Sequence, residues 1–120
     1  MKLTLDVENT TTERNGKLHL DPFEPDNSLT MVGMLTDQGV ERIVTFDHSE
    51  VDADAYGHVL VQEFLDAATV IIAHNAAYDL MWLWESGFKY DGAVFDTMLG
   101  EYVLQRGQKQ PLSLQACAER

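Results

Sequence analysis

The sequence holds a single cysteine, Cys117, among its 120 residues. This excludes an internal disulfide and any zinc site built on several cysteines, and it fits a reducing compartment. Cations are also scarce. Eight Lys and Arg stand against 20 Asp and Glu, giving a formal net charge of -12 and a pI of about 4.4. The broad basic surface that holds a long duplex is therefore missing. The acidity leaves open a grip on the end of a strand, where metal ions supply positive charge and phosphate contacts are few. No apolar run approaches the roughly 18 residues of a membrane span. Lys2, followed by a short apolar segment broken by Asp6 and Glu8, is no secretory signal. A cytoplasmic protein with no membrane contact is expected. Asn9-Thr10-Thr11 fits the glycosylation pattern, but without a secretory route it reads as a polar loop.

With 45% hydrophobic and 23% charged residues, the chain has the composition of one globular domain, residues 1–120, with a core of its own. Lys2 to Val7 alternates as a strand, with Leu3, Leu5 and Val7 on one face and Lys2, Thr4 and Asp6 on the other. Asn9 to Asn27 turns polar, a loop or ragged hairpin with Asn15-Gly16 as its tight turn and Pro22 and Pro25 as breakers. Leu29 to Leu35 and Val40 to Phe46 predict two more strands around a turn at Thr36 to Gly39. A helix is expected over Asp52 to Ala68, capped by Asp52 or Asp54, with Ala55, Val59, Phe64 and Leu65 inward. Val70 to Ala73 reads as a strand buried on both faces. Next comes a helix capped by Asn75 and stopped by Gly87, its apolar stripe formed by Ala76, Leu80, Leu83 and Trp84. Ala93 to Phe95 is a short strand, Asp96 caps a helix that ends at Gly107, and Pro111 starts another.

The chemistry is carried by acids. Asp6 and Glu8 are two residues apart on a strand and so share a face. At an effective dielectric of about 20, two carboxylates some 4 Å apart repel by roughly 4 kcal/mol, which raises one pKa or calls for a cation. Asp79 lies four residues after Asn75, on the same helical face beside the first turn. In a sheet whose strands end at Asp6 and at Ala73, those ends can be neighbours, and three acids would then surround one metal pair.

"LDVE", "AHNAAYDLMWL" and "FDTMLGEYVL", in this order and spacing, resemble the DEDD-type 3′-5′ exonuclease domain of family A DNA polymerases, and most of all that of phage replication polymerases. The resemblance covers Lys2 to Glu119. It implies an RNase H-like α/β fold, a mixed sheet of about five strands flanked by helices. Asp6, Glu8 and Asp79 match three of the family's four metal-binding carboxylates. Two Mg²⁺ or Mn²⁺ ions are implied, with proofreading of single-stranded DNA 3′ ends in DNA replication, release of nucleoside monophosphates, a polymerase domain in the same or another chain, and the host cytoplasm if phage-encoded. Asn75, Asn9 and Thr10 are implied as positioners of the terminal nucleotide.

The family's fourth carboxylate belongs to a later Tyr-x-x-x-Asp or His-x-x-x-Asp motif, and no residue after Asp96 supplies it. A chain truncated before that motif, its C-terminal part missing and its activity weak or absent, is the expectation. Asp96 is explained as a helix cap. Glu101 and Glu119 read as solvated helix positions, and His19, His48 and His58 lack ligand spacing. His74 is packed, solvated or in touch with substrate, Trp82 and Trp84 read as core, and Tyr78 is undecided. Two other readings share the fold: a DEDD exoribonuclease acting on RNA ends, and a non-catalytic module lacking the fourth acid.

Overall fold

Alternation along the first strand sets the architecture. In β1 (Lys2–Asn9), Leu3, Leu5 and Val7 are buried while Lys2, Thr4, Asp6 and Glu8 are exposed, so one face of the sheet is apolar and the other wet. The structure, a computed structural model, describes residues 1–46, 53–105 and 111–119. After β1 come β2 (Thr12–Arg14) and β3 (Lys17–His19), then β4 (Leu29–Thr36), β5 (Glu41–Thr45), α1 (Gly57–Ala67), β6 (Val70–Ala73), α2 (Ala76–Glu85), β7 (Ala93–Asp96), α3 (Thr97–Gln105) and α4 (Leu114–Ala118).

The main sheet runs β5-β4-β1-β6-β7. β1 pairs antiparallel with β4, and β4 antiparallel with β5, whereas β1, β6 and β7 run parallel. This five-stranded mixed sheet with flanking helices is compatible with an RNase H-like α/β fold, as expected. β2 and β3 form a separate two-stranded hairpin. Asn15 and Gly16 at its tip have φ of 54° and 77°, the pair of left-handed residues that a tight hairpin turn requires. Two parallel crossovers, β5-α1-β6 and β6-α2-β7, move the same way across the sheet. The right-handed rule therefore puts both helices over one face. Val32, Val44, Val61, Leu65, Ile71 and Leu83 fill the space beneath them with the three apolar residues of β1. On the other face Leu35 and Ile43 remain exposed.

Helix phases depart from expectation in α1 and α2. α1 buries Gly57, Val61 and Leu65 rather than Ala55 and Val59, which are exposed. The helix begins at Gly57, and Asp54 does not cap it. The Asp54 side chain instead accepts the Thr45 N–H at 2.8 Å and ties β5 to the approach of α1. In α2 the stripe is Ala76, Asp79, Trp82 and Leu83, with Trp84 55% exposed. Trp82 packs in the core as expected, but Trp84 does not. α2 stops at Gly87, whose φ of 92° lets the Phe88 N–H reach the Leu83 carbonyl at 2.9 Å. Phe88, 3% exposed, then packs into the core beside the helix end. α3 shows Leu99, Tyr102, Val103 and Leu104 exposed, and α4 is capped by the Ser113 hydroxyl, which accepts the Ala116 N–H. Asp52, His48 and Gly107 lie outside the described residues. Among the described residues no helix is long and apolar enough to cross a membrane.

Candidate metal centre

The acids gather at the carboxyl end of β1. Asp6 and Glu8 project from its exposed face, and the residue opposite Asp6 on β4 is Gly33, so no side chain crowds that carboxylate from across the ladder. Register shifts at the next step. Glu8 pairs with Met31 but Asn9 pairs with Leu29, so Thr30 is the extra residue of a bulge where the acidic strand ends. Burial first, and then the neighbouring Glu8 charge, raise the pKa of Asp6 above the ordinary carboxylate value.

Asp79 comes from the first turn of α2. Its place in the buried stripe of that helix leaves it 4% exposed. Burial, then the charge of Asp6, then that of Asp96, push its pKa up from 3.8 to about 7, against a hydrogen bond from the Val7 backbone that favours the charged form. Its Oδ2 is buried with no hydrogen-bond partner. An orphaned carboxylate oxygen in a dry site is costly unless a proton or a cation satisfies it. The structure thus brings together a series of repelling carboxylates, Glu8 with Asp6, Asp6 with Asp79, and Asp79 with Asp96. It does not close three of them into one cluster: among the described residues no group of three or more His, Cys, Asp or Glu is placed to hold a metal ion. The donors themselves are hard carboxylate oxygens of the kind Mg²⁺ and Mn²⁺ prefer, and the orphaned Oδ2 fits such an ion.

Asp96 has a second task that the sequence reading missed. As well as capping α3 through the N–H groups of Met98 (2.9 Å) and Leu99 (3.3 Å), its carboxylate accepts the N–H groups of Asn75 and Ala76, each at 3.0 Å. One carboxylate therefore caps two helices. Burial works to raise its pKa, but the four backbone donors together outweigh burial and hold it below the usual range.

Asn75 stands at the start of α2, as expected, but its side chain makes no capping bond. The residue is exposed and left-handed, with φ 61° and ψ 58°, a conformation that costs most residues about 1–2 kcal/mol. Asn75→Gly is expected to unfold at the same temperature as the native chain or slightly higher, and Asn75→Ala to be destabilised by about 1 kcal/mol. Equal thermal unfolding of the Ala and Gly variants would refute the strain.

Asn9 and Thr10 are committed to local structure. Asn9 Nδ2 donates to the carbonyls of Thr10 and Leu20, its Oδ1 accepts the Tyr78 hydroxyl at 2.8 Å, and Thr10 Oγ1 accepts the Ser28 N–H at 2.8 Å. Tyr78, open in the sequence reading, is thereby a fastener between α2 and the end of β1. His74 is packed in place, its ring nitrogens meeting the Thr97 hydroxyl at 2.9 Å and the Leu112 carbonyl.

No family model matches the chain, and neither does any curated protein sequence. Among solved structures the chain is similar to the family B DNA polymerase from the hyperthermophilic archaeon Pyrobaculum calidifontis, with a TM-score of 0.48 and 22% identity. The likeness covers 70% of this chain and 10% of that polymerase.

Proposed function

We propose that the chain is a metal-dependent 3′-5′ exonuclease domain of the DEDD type, the proofreading part of a DNA polymerase, acting on the 3′ end of single-stranded DNA. The observation that carries the proposal is the buried Asp79 with its orphaned Oδ2, repelled by Asp6. A carboxylate in that state gains from a cation, and the site is open to solvent through the exposed Asp6 and Glu8.

Asp6, Glu8 and Asp79 would hold Mg²⁺ or Mn²⁺, two ions in this reading. Bound there, the metal supplies the Lewis acidity that activates a water and neutralises charge on the departing oxygen. Water adds to the terminal phosphorus, the P–O3′ bond breaks, the terminal nucleotide leaves as a nucleoside 5′-monophosphate, and the proton ends on the freed 3′ oxygen. Without metal, the same acids repel the phosphate, so their own work is to bind the ion and fix its place. The exposed Asn75 side chain, not spent on capping, is the residue to orient the terminal nucleotide. Asn9 and Thr10 act by holding the loop after Glu8 in shape.

The test is nucleotide release from 3′-labelled single-stranded DNA, beside a matched RNA, with Mg²⁺ or Mn²⁺. Weak release from DNA that disappears in Asp6→Ala is expected, together with loss of Mn²⁺ binding in that variant. Equal release from the native chain and Asp6→Ala would refute the site, and preferential release from RNA would make the domain an exoribonuclease. The open arrangement of the three acids favours one other reading, a non-catalytic module. Failure of the native chain to bind Mn²⁺ would establish that reading instead.

A further inference from the structure

We infer that the outer face of β7 and α3 is a docking surface for a second copy of this chain, met across a two-fold axis with the two α3 helices antiparallel. The contact is independent of the nuclease reading.

Helix α3 is turned the wrong way for a helix that serves only its own core. Its buried residue is Gln105, 7% exposed, whereas Leu99 is 60% exposed, Tyr102 59%, Val103 66% and Leu104 76%. An amphipathic surface helix normally turns its apolar stripe inward. Leu99, Tyr102 and Val103 fall at the three- and four-residue spacing of one helical face, so the stripe is intact and points away from this chain's core.

These residues share one concavity. Val94, Phe95, Leu99, Val103 and Leu104 line a groove of about 490 Å³ together with Gly100 and Asp96. The Phe95 ring lies beside Gly100, where an added Cβ would stand 3.6 Å from Cζ, and the missing side chain keeps the groove open between strand and helix. β7 ends the sheet, and among the described residues no strand follows it. Val94 and Phe95 point to opposite faces of β7, yet both are exposed at that edge.

Area, shape and charge select a second copy. With about six-tenths of each residue open, Val94, Phe95, Leu99, Tyr102, Val103 and Leu104 present on the order of 600 Å² per copy, or about 1,200 Å² for a pair, the lower end of specific stable interfaces. Antiparallel α3 helices bring the Val103 and Leu104 end of one copy over the Leu99 and Gly100 end of the other, so knobs and groove on one surface complement each other, as a closed pair requires. The ionisable group lining the groove is Asp96, whose carboxylate already accepts four backbone N–H groups, so closing the face strands no unpaired charge. A basic partner is drawn instead to the acids elsewhere on a chain of net charge -12.

The experiment is sedimentation equilibrium of the full chain in EDTA without DNA, over about 1 to 200 µM, where mass action separates monomer from pair. A dimer of twice 13.5 kDa is expected at the upper end. Salt screens the repulsion between two acidic chains and leaves apolar burial intact, so the pair should tighten between about 0.05 and 0.5 M NaCl. Leu99→Glu and Leu104→Glu should each weaken it on the order of a hundredfold. Both positions are exposed, so unchanged thermal unfolding of the variants, taken where the native chain is monomeric, certifies their folding. In a Cys117→Ser background, Tyr102→Cys should cross-link into pairs on oxidation, whereas Val59→Cys, 56% exposed on α1, should not. A monomer at every concentration and salt overturns the inference. So does a dimer that survives both glutamates, or a mass that climbs without a plateau, which marks an open series of heterologous contacts. A monomer that binds an apolar dye through this face, with the dye lost in Leu104→Glu, assigns the surface to a different protein and overturns the second copy.

Discussion

Asp79→Asn is expected to stabilise the metal-free protein at pH 8 and to flatten its stability between pH 5 and pH 8. The sign follows from proton linkage. Asp79 has a folded pKa of about 7 against 3.8 when unfolded. Between those values the native state holds a proton that the unfolded state has lost, so stability falls as pH rises. At about 1.4 kcal/mol for each pH unit, the full loss above pH 7 is on the order of 4 kcal/mol. The residue is nearly inaccessible to solvent, so screening does little to reduce this. Asparagine removes the charge and keeps an oxygen for the Val7 backbone, but it buries an amide donor without a partner, which costs about 1–3 kcal/mol. A net gain of roughly 1–3 kcal/mol at pH 8 remains, with near equality at pH 5, where the native carboxyl is protonated. Asp6 shifts in the same direction. Asp96 and Glu24 are lowered, so their stabilisation is lost only on acidification below the ordinary carboxylate range, outside this window. Urea unfolding in EDTA at pH 5, 6.5 and 8 measures the effect, and parallel pH slopes for the two proteins would show that Asp79 is not the titrating group. On the proposed function, Mn²⁺ at pH 8 should raise the stability of the native chain, by about 2.7 kcal/mol at a hundredfold excess over its Kd, and leave Asp79→Asn almost unchanged.

The acid that dominates this behaviour was visible in the sequence, but its burial was not. Ala76, Asp79 and Leu83 recur at helical spacing, so a strict reading of the periodicity puts the acid on the apolar stripe. The signal was obscured because Trp82, Leu83 and Trp84 are three consecutive apolar residues and only tertiary packing decides which two turn inward. The same ambiguity affects α1, where Val59, Leu60 and Val61 offer several phases and the sheet selects Val61. β1, β6, the Asn15-Gly16 turn and the Gly87 stop were legible because each depends on local chemistry: alternation, a short apolar run, or a positive φ. Asn75 shows the limit of local chemistry, for its position at the helix start was readable while the group that caps the helix lies 21 residues away in Asp96. Parallel pairing of Ala73 with Asp96 brings that carboxylate to the end of β6, and such pairing leaves no short-range mark in a sequence.

Asp96→Ala is expected to be the most destabilising exposed-to-intermediate substitution in the site, at roughly 3 kcal/mol, since it removes the caps of two helices at once. A single lost cap costs about 1 kcal/mol, and hydrogen bonds to a charged acceptor contribute about 1.5–3 kcal/mol. Here four N–H groups lose their acceptor, and that of Ala76 belongs to a residue 2% exposed that water reaches poorly. The left-handed Asn75 also loses the bond that holds its N–H, so the start of α2 is free to relax and Asp79 with it. Asp96→Asn separates capping from charge. Its one remaining carbonyl oxygen can keep the bonds now made to Oδ1, those of Asn75, Met98 and Leu99, and the loss should be smaller, about 1 kcal/mol. The negative charge that helps to raise the pKa of Asp79 is gone in both variants. The stability decline assigned to Asp79 should therefore move to lower pH in Asp96→Asn, a shift that a purely structural cap would not produce. Carboxyl titration followed by NMR on Asp96→Asn decides the matter: an Asp79 midpoint unchanged from the native chain would mean that the two acids are not electrically coupled, and that the series of repulsions ends at Asp79.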